Sequence, residues 1–183
     1  VVTADHGEEF YEHEGLTHGS TLYGEVLEVP FILGNLKPPM QPRSSGEPFD
    51  QVDFLPTVLE ALGLPDQPGG DGDSQWSAIA NGEPLDVHDI FSHLDLDKKR
   101  FFAIQSGDLK LIMAGSGSGG QLFDLGRDPG ELAPLPIASS AGAAFRQRLR
   151  KVNRFLGDRS FQPAESKTDE ETLRQLKALG YIQ

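Results

Sequence analysis

The sequence contains no cysteine, a single tryptophan, few basic residues and no long apolar run. Without cysteine, the 183 residues can form no disulfide, although this identifies no cellular compartment. A membrane-spanning helix needs about 20 consecutive apolar residues, and these residues hold no such segment. Lysine and arginine total 16 against 28 acidic residues, which gives a net charge of −12. This charge argues against nucleic acid or an anionic membrane as the main partner.

Glycine and proline, by contrast, are plentiful. The chain has 21 glycines, 13 prolines and a hydrophobic fraction of only 37%, which together indicate many loops. Its length is still sufficient to bury a core in one large domain or two small lobes. Residues 65–86 are rich in turn-forming residues, so we predict a subdomain boundary there.

The first third of the sequence predicts alternating strands and helices. Residues 1–4 are typical of a strand, Ser20 or Thr21 can cap a helix that ends near residue 28, and residues 29–33 form a short apolar run. This alternation favours a mostly parallel sheet.

A second helix is predicted at residues 53–62, with Asp53 as its N-cap and Gly63 just beyond its end. One face of this helix would be apolar, formed by Leu55, Val58, Leu59 and Leu62. A short helical turn is predicted around Trp76.

The second half predicts an antiparallel meander followed by helices. Candidate strands cover residues 88–93, 101–106, 109–113 and 121–125, with a Gly107-Asp108 hairpin connection. A helix is predicted at 143–156, and a final helix begins at Thr168 and ends at Gly180.

Residues 3–23 hold the densest set of chemically active side chains. Asp5 and His6 directly follow the first predicted strand, and two further histidines occur within the next dozen residues. A carboxylate and a neutral imidazole side by side can bind one divalent cation if the chain turns sharply after them. Gly7 permits such a turn because it has no Cβ. The spacing alone fits equally well a strand-end turn without a cation, so both interpretations stay open at this point.

Several segments, taken in order, resemble the second half of a sulfatase. They are Asp5-His6-Gly7-Glu8 with His18-Gly19 and Leu22-Tyr23 through Val29-Pro30; Val52-Asp53-Phe54-Leu55-Pro56-Thr57-Val58-Leu59 with Leu62-Gly63-Leu64-Pro65; Gly107-Asp108-Leu109-Lys110-Leu111-Ile112; Leu122-Phe123-Asp124-Leu125 with Asp128-Pro129-Gly130-Glu131; and Leu173-Arg174 through Leu179-Gly180-Tyr181. Sulfatases belong to the alkaline phosphatase superfamily, as do related phosphonate and phosphodiester hydrolases. The ordered set spans nearly the whole chain and is far more specific than any one motif.

The resemblance implies a fold and a reaction. The fold would be an α/β class, the C-terminal part of an alkaline-phosphatase-like α/β/α domain followed by a small antiparallel β-sheet with a C-terminal helix. Residues 1–86 would belong to the catalytic domain and residues 87–183 to the C-terminal subdomain. The activity would be hydrolysis of sulfate esters with a divalent metal, as in bacterial arylsulfatase-like enzymes.

The resemblance also implies roles for individual residues. Asp5 and His6 would be metal ligands, with calcium as the expected metal and magnesium, manganese or zinc as alternatives. An imidazole ligand suits transition metals better than calcium. His18 stands where sulfatases more often carry a lysine, and it would contact the substrate or its leaving oxygen as a catalytic group. His13 would line the substrate pocket or support its loop.

Part of the implied site lies outside these residues. The nucleophile motif, Cys or Ser followed by x-Pro-x-Arg, does not occur in the 183 residues, and the first metal-binding carboxylates would also lie upstream. We therefore expect the chain to be the C-terminal part of a longer polypeptide that carries a formylglycine. Alone it should be inactive, and its open strand edges should favour self-association or pairing with the missing N-terminal half.

Two other functions stay open. A histidine at position 18 fits a phosphonate or phosphodiester substrate as well as a sulfate ester. A non-catalytic, metal-stabilised binding module is a third hypothesis, which the intact Asp-His-Gly motif disfavours. The sequence identifies neither the natural substrate nor the compartment.

Overall fold

The computed structural model describes residues 1–34, 42–66, 69–96, 99–115, 119–158, 171–172 and 174–175. Contacts divide the chain into two units, Val1–Leu149 and Arg150–Gln183, and the candidate site lies within the first. The subdomain boundary predicted near residue 86 stays a prediction. None of the described helices is both long enough and apolar enough to cross a membrane.

Short elements make up the beginning of the chain. Strands β1 (Glu9–Phe10) and β2 (Leu16–Thr17) pair antiparallel as a small hairpin, and helix α1 (Gly24–Leu27) follows. The hairpin occupies a segment that the sequence predicts as loop. It carries the candidate site residues close to the first turn of α1.

The start of α1 differs from the prediction. The helix does not begin at Ser20 or Thr21: Tyr23 is its N-cap residue, and the Thr21 hydroxyl donates to the carboxylate of Glu9. Leu22 and Val26 are buried, as their helical spacing predicts.

The expected parallel sheet is not found in the described part of the chain. Residues 1–4 and 29–33 meet at a single antiparallel bridge between Val2 and Ile32. Pro30 has no N–H with which to extend that bridge. An isolated bridge has no neighbouring strand to cover it, and Val2 therefore remains 62% exposed.

A 3-10 turn at Gln51–Asp53 leads into helix α2 (Phe54–Ala61). Asp53 is the N-cap residue of α2, as predicted, but its side chain makes no capping hydrogen bond. Its carboxylate is buried and accepts hydrogen bonds from the segment that follows the helix. A buried carboxylate needs such donors, and they keep it from bonding to the first N–H groups of α2. The side chain of Asp50 caps the preceding 3-10 turn.

The apolar face predicted for α2 is only partly correct. Leu55 and Leu62 are exposed, whereas Thr57 is buried because its hydroxyl accepts from a backbone N–H. Gly63 adopts a left-handed backbone conformation just past the helix, as predicted. The short helix predicted around Trp76 is present as α3 (Trp76–Asn81).

The antiparallel meander and the helix after it are confirmed. Its strands are β3 (Ile90–Leu96), β4 (Lys99–Ser106), β5 (Leu109–Ala114) and β6 (Gln121–Asp124), paired in sequence order. Helix α4 covers Ser140–Asp158, three residues earlier than predicted at its start. The final helix predicted from Thr168 lies mostly outside the described residues.

Alternating side chains of the meander enter two apolar clusters. One cluster packs the sheet against α4 and contains Phe102, Ile104, Leu111, Met113, Leu122, Phe145 and Leu149. The other packs it against the chain just before α1 and contains Leu22, Ala103, Ile112 and Phe123. Full burial of each large apolar side chain stabilises the fold by about 1.5–3 kcal/mol. The second cluster therefore anchors the segment after the hairpin to the sheet.

Candidate metal and substrate site

Residues 3–23, called here the site loop, carry the predicted site residues. Gly7 fixes the loop against α1, because its N–H donates to the carbonyl of Val26 at 2.8 Å. A Cβ at this position would lie 2.0 Å from the carbonyl oxygen of Glu25. Glycine is thus required by a close backbone approach, and not by the left-handed conformation that a sharp turn would suggest.

Asp5 and His6 form a polar pair at the start of the site loop. Nδ1 of His6 lies 2.8 Å from the carbonyl oxygen of Gly7. As the protonated nitrogen it donates to that oxygen, which leaves the lone pair on Nε2. That nitrogen is 3.9 Å from Oδ2 of Asp5. Two ligands that each lie about 2.0–2.4 Å from one ion can be up to about 4.5 Å apart, so the pair is close enough to bind a single cation.

His18 lies directly beside His6. Their ring centroids are 4.2 Å apart. Nδ1 of His18 donates to Oε1 of Glu8 at 2.8 Å, and this hydrogen bond holds the imidazole in one orientation. Asp5, His6 and His18 line the same open cleft. The structure therefore brings these three predicted residues together.

Glu8 is a candidate functional residue to which the sequence alone assigns no role. Its carboxylate pairs with His18. His6, Glu8 and His18 each offer one ligand atom, and these atoms all lie within 4.8 Å of one another. The sequence shows an acidic residue two positions after His6. It does not show that folding of the hairpin brings this residue to His18.

His13 lies apart from this cluster and uses both ring nitrogens. Nδ1 is 2.6 Å from the carboxylate of Glu25, and Nε2 is 3.0 Å from the carbonyl oxygen of Glu131. Its ring stacks on Tyr23 at a centroid distance of 3.6 Å. Burial alone would lower the pKa of His13, but the hydrogen bonds to Glu25 and Glu131 and their negative charges raise it. These contacts tie the site loop to the chain beyond β6.

Glu131 connects the site loop to the meander. Its carboxylate forms an ion pair with Nζ of Lys110 at 2.8 Å and accepts the N–H of Gly24 at 2.5 Å. Both charged side chains are almost completely buried. Glu131 also has a left-handed backbone conformation, φ +53°, which is uncommon for a residue with a side chain. No pattern in the sequence indicates this connection, since its partners are far apart along the chain.

The charges around the cleft bear on what it can bind. Glu8 contributes a carboxylate to the cluster, and the carboxylate of Asp5 lies 3.9 Å from Nε2 of His6. Of the described residues that line the cleft, Arg43 and Lys110 are the basic ones. Arg43 donates to two backbone carbonyls and Lys110 is paired with Glu131, so both are already engaged. An anionic group would therefore gain little attraction here unless a cation were bound beside it.

Comparison with known proteins points to one group. No protein-family model matches the chain. Over 160 residues it is 26% identical to the Delta 4,5-hexuronate-2-O-sulfatase of Bacteroides thetaiotaomicron. The match covers 81% of this chain but 33% of that protein, so the chain spans about a third of the length of its curated relative.

Solved structures agree in fold. A 2-O GAG sulfatase aligns with 99% of this chain and 37% of its own, with a TM-score of 0.61 and 20% identity. A protein solved in complex with its substrate D-glucosamine-2-N,6-O-disulfate aligns with 90% of this chain and 35% of its own, with a TM-score of 0.63 and 22% identity. Together with the curated relative, these similarities confirm homology of this chain to part of a sulfatase.

Proposed function

We propose that the chain supplies one half of the active site of a sulfatase-type ester hydrolase. Asp5 and His6 are the metal ligands of this proposal, and His18 is the catalytic residue that contacts the substrate. The observation that carries it is the convergence of these three side chains on one cleft, with Nε2 of His6 3.9 Å from Oδ2 of Asp5. The nucleophile, a formylglycine, and the remaining metal carboxylates belong to residues outside these 183.

The donor set fits a divalent metal. Asp5 offers an anionic oxygen, and His6 offers a neutral nitrogen whose opposite ring nitrogen is bonded to a backbone carbonyl. This arrangement is the usual one behind metal-bound histidines. Calcium is the metal that the family resemblance favours, whereas the imidazole ligand favours manganese or zinc. When bound, the metal would polarise an ester oxygen and favour the anionic form of the nucleophile.

His18 and His13 have different parts in this proposal. His18 keeps its orientation through Glu8 and turns the other edge of its ring toward the substrate. His13 supports the site loop through Glu25 and Glu131. Its direct contact with substrate stays a prediction.

The proposal extends to domain organisation. Residues 1–86 would be the C-terminal part of an alkaline-phosphatase-like α/β/α catalytic domain, and residues 87–183 a C-terminal subdomain. The four-stranded antiparallel sheet is the observation that supports the second part of this division, and the first part stays a proposal.

Sulfated sugars are the substrate class that the proposal favours, because the relatives are named for hexuronate and GAG sulfate groups. Arg43 and Lys110 are already bonded to other groups of the chain. The bound metal would therefore be the main source of positive charge for such an anion. A phosphonate monoester or phosphodiester is the second candidate, which histidine at position 18 favours. A non-catalytic metal-binding module is the third.

Hydrolysis rates test the proposal. The native polypeptide that contains these residues should hydrolyse nitrophenyl sulfate faster than a phenylphosphonate ester. Asp5→Asn should lower kcat/KM by at least about tenfold, whereas Glu14→Gln, a matched loss of charge on an exposed residue of the same loop, should leave it unchanged. Peptide mass spectrometry should find an aldehyde at the nucleophile.

Three results separate the candidates. Faster hydrolysis of the phosphonate ester, with no aldehyde, would favour the second function. If the Asp5→Asn variant keeps both its activity and its metal, Asp5 is not a metal ligand. Turnover of an aryl sulfate by the 183 residues alone would contradict the half-site proposal.

A further inference from the structure

We propose that, with no substrate bound, His6, Glu8 and His18 form a site for a divalent transition-metal ion that this chain can occupy by itself. The inference goes beyond the proposed function. In the proposed function, Asp5 and His6 bind the cation. In this inference, the cation is bound by His6, Glu8 and His18.

The distances within the cluster permit a shared ion. Oε1 of Glu8 and Nδ1 of His18 are 2.8 Å apart, the separation of two neighbouring ligands that each lie about 2.0–2.1 Å from one metal. The ligand atoms of all three residues lie within 4.8 Å of one another. Opposed ligands of a transition-metal ion lie about 4.2 Å apart, so the side chains must move closer together when the ion binds.

The cluster is also prepared for an ion by its hydrogen bonds. His6 donates through Nδ1 to the carbonyl of Gly7, so Nε2 is available as a ligand. The hydrogen bond between Glu8 and His18 marks the position that a cation would take in place of the shared proton. To bind the ion through Nδ1, His18 must carry its single ring proton on Nε2. The proton on Nδ1 therefore moves to Nε2 in the neutral ring, or leaves for solvent from the doubly protonated ring, and a carboxylate, two neutral imidazoles and the ion remain.

The chain around the cluster holds it in place. Gly7 packs tightly on α1 next to His6. His18 lies between Thr17 and Gly19, and both neighbours have left-handed backbone conformations. About two fifths of the Glu8 and His18 side chains is exposed, so an ion has access from solvent. An ion can therefore enter the site from solvent, while the chain around His6 and His18 is held in place.

Two nitrogens and one carboxylate oxygen define the class of metal. Such a set is typical of zinc, cobalt or nickel. Calcium prefers six to eight oxygen ligands and would bind poorly through two imidazoles. We therefore expect zinc and cobalt to bind the 183-residue chain more tightly than calcium.

Titration calorimetry of the metal-free chain with zinc tests the inference. The chain should bind zinc, and Glu8→Gln and His18→Asn should each weaken binding by at least about tenfold. Glu14→Gln removes the same charge from the same loop outside the cluster and should bind as the wild type does. Circular dichroism checks that each variant is folded, and the visible spectrum of bound cobalt reports the ligands directly.

The outcomes distinguish this inference from the proposed function. If the chain binds no zinc, or if Glu8→Gln and His18→Asn bind it as tightly as the wild type, the inference is wrong. If only Asp5→Asn weakens binding, the cation is held as the proposed function requires and the inference fails alone. If Glu8→Gln and His18→Asn lose zinc while the native polypeptide hydrolyses neither ester, the proposed function fails alone.

Discussion

In the antiparallel sheet, residues 90–124, alternate side chains enter two apolar clusters, and Ile104, Leu111 and Phe123 are fully buried. In the site loop, residues 3–23, Phe10 and Tyr11 are about 70% exposed and the contacts that hold the loop are mainly polar. The sheet is stabilised by non-directional burial, whereas the loop depends on charges and hydrogen bonds in specific positions.

Stability and function therefore depend on different regions of the chain. Substitutions of the proposed metal and substrate residues in the site loop should change the chemistry and leave the fold intact, while substitutions in the sheet should do the opposite. The ion pair of Lys110 with Glu131 is the exception, because Lys110 lies in the sheet and Glu131 bonds to His13 of the site loop.

The largest effect is expected in the sheet. Phe123→Ala removes a fully buried ring and should lower the free energy of unfolding by about 4 kcal/mol, since it loses apolar burial and leaves a cavity. Urea denaturation followed by circular dichroism measures this. Asp5→Asn is the matched test in the loop and should change stability by less than about 0.5 kcal/mol. If Phe123→Ala and Asp5→Asn lower the free energy of unfolding equally, the sheet and the site loop do not differ in this way.

A slightly smaller effect is expected where the regions meet. Lys110→Met leaves the carboxylate of Glu131 buried without its cation and should cost about 3 kcal/mol. Limited proteolysis should then cut the site loop faster than in the wild type. The double variant with Glu131→Gln should recover part of the loss. A Lys110→Met protein with full stability and an equally resistant loop would show that the ion pair does not hold the loop.

The smallest effect is a pH dependence confined to the loop. The pKa of His13 is raised in the folded protein, so His13 contributes stability that is fully present below its ordinary pKa, near 6.5, and is lost as pH rises through the raised value. The stability difference between wild type and His13→Gln should therefore be largest below about pH 6.5 and shrink as the pH rises above that value. The groups that face His13 are Glu25, Tyr23 and Glu131, the last paired with Lys110. A difference that grows with pH would contradict this assignment.

The sequence predicted the sheet well because its signals are local. Alternating apolar residues and the Gly107-Asp108 connection locate β4, β5 and the turn between them without reference to the rest of the chain. The helical pattern around Phe145 and Leu149 is similarly local and predicts α4.

The loop was predicted less completely because its partners are distant or unusual. Asp5, His6 and His18 were named from motif and resemblance, but no periodicity indicates that Glu8 reaches His18. The sequence offers Thr21 as a helix cap, yet its hydroxyl donates to the carboxylate of Glu9, twelve residues earlier in the chain. Polar contacts of this kind depend on the tertiary fold and leave no repeating pattern in the sequence.

Glu131 has a consequence for the order in which the molecule assembles. Its carboxylate reaches Gly24 across 107 residues, and its carbonyl reaches His13 across 118. Contacts so distant in the chain close large loops and form late, after local strands and helices. The site loop is synthesised long before Glu131, so it cannot reach its final arrangement until the meander has been made. The residues that carry the chemistry are therefore synthesised before Glu131 and reach their final arrangement only after it is in place.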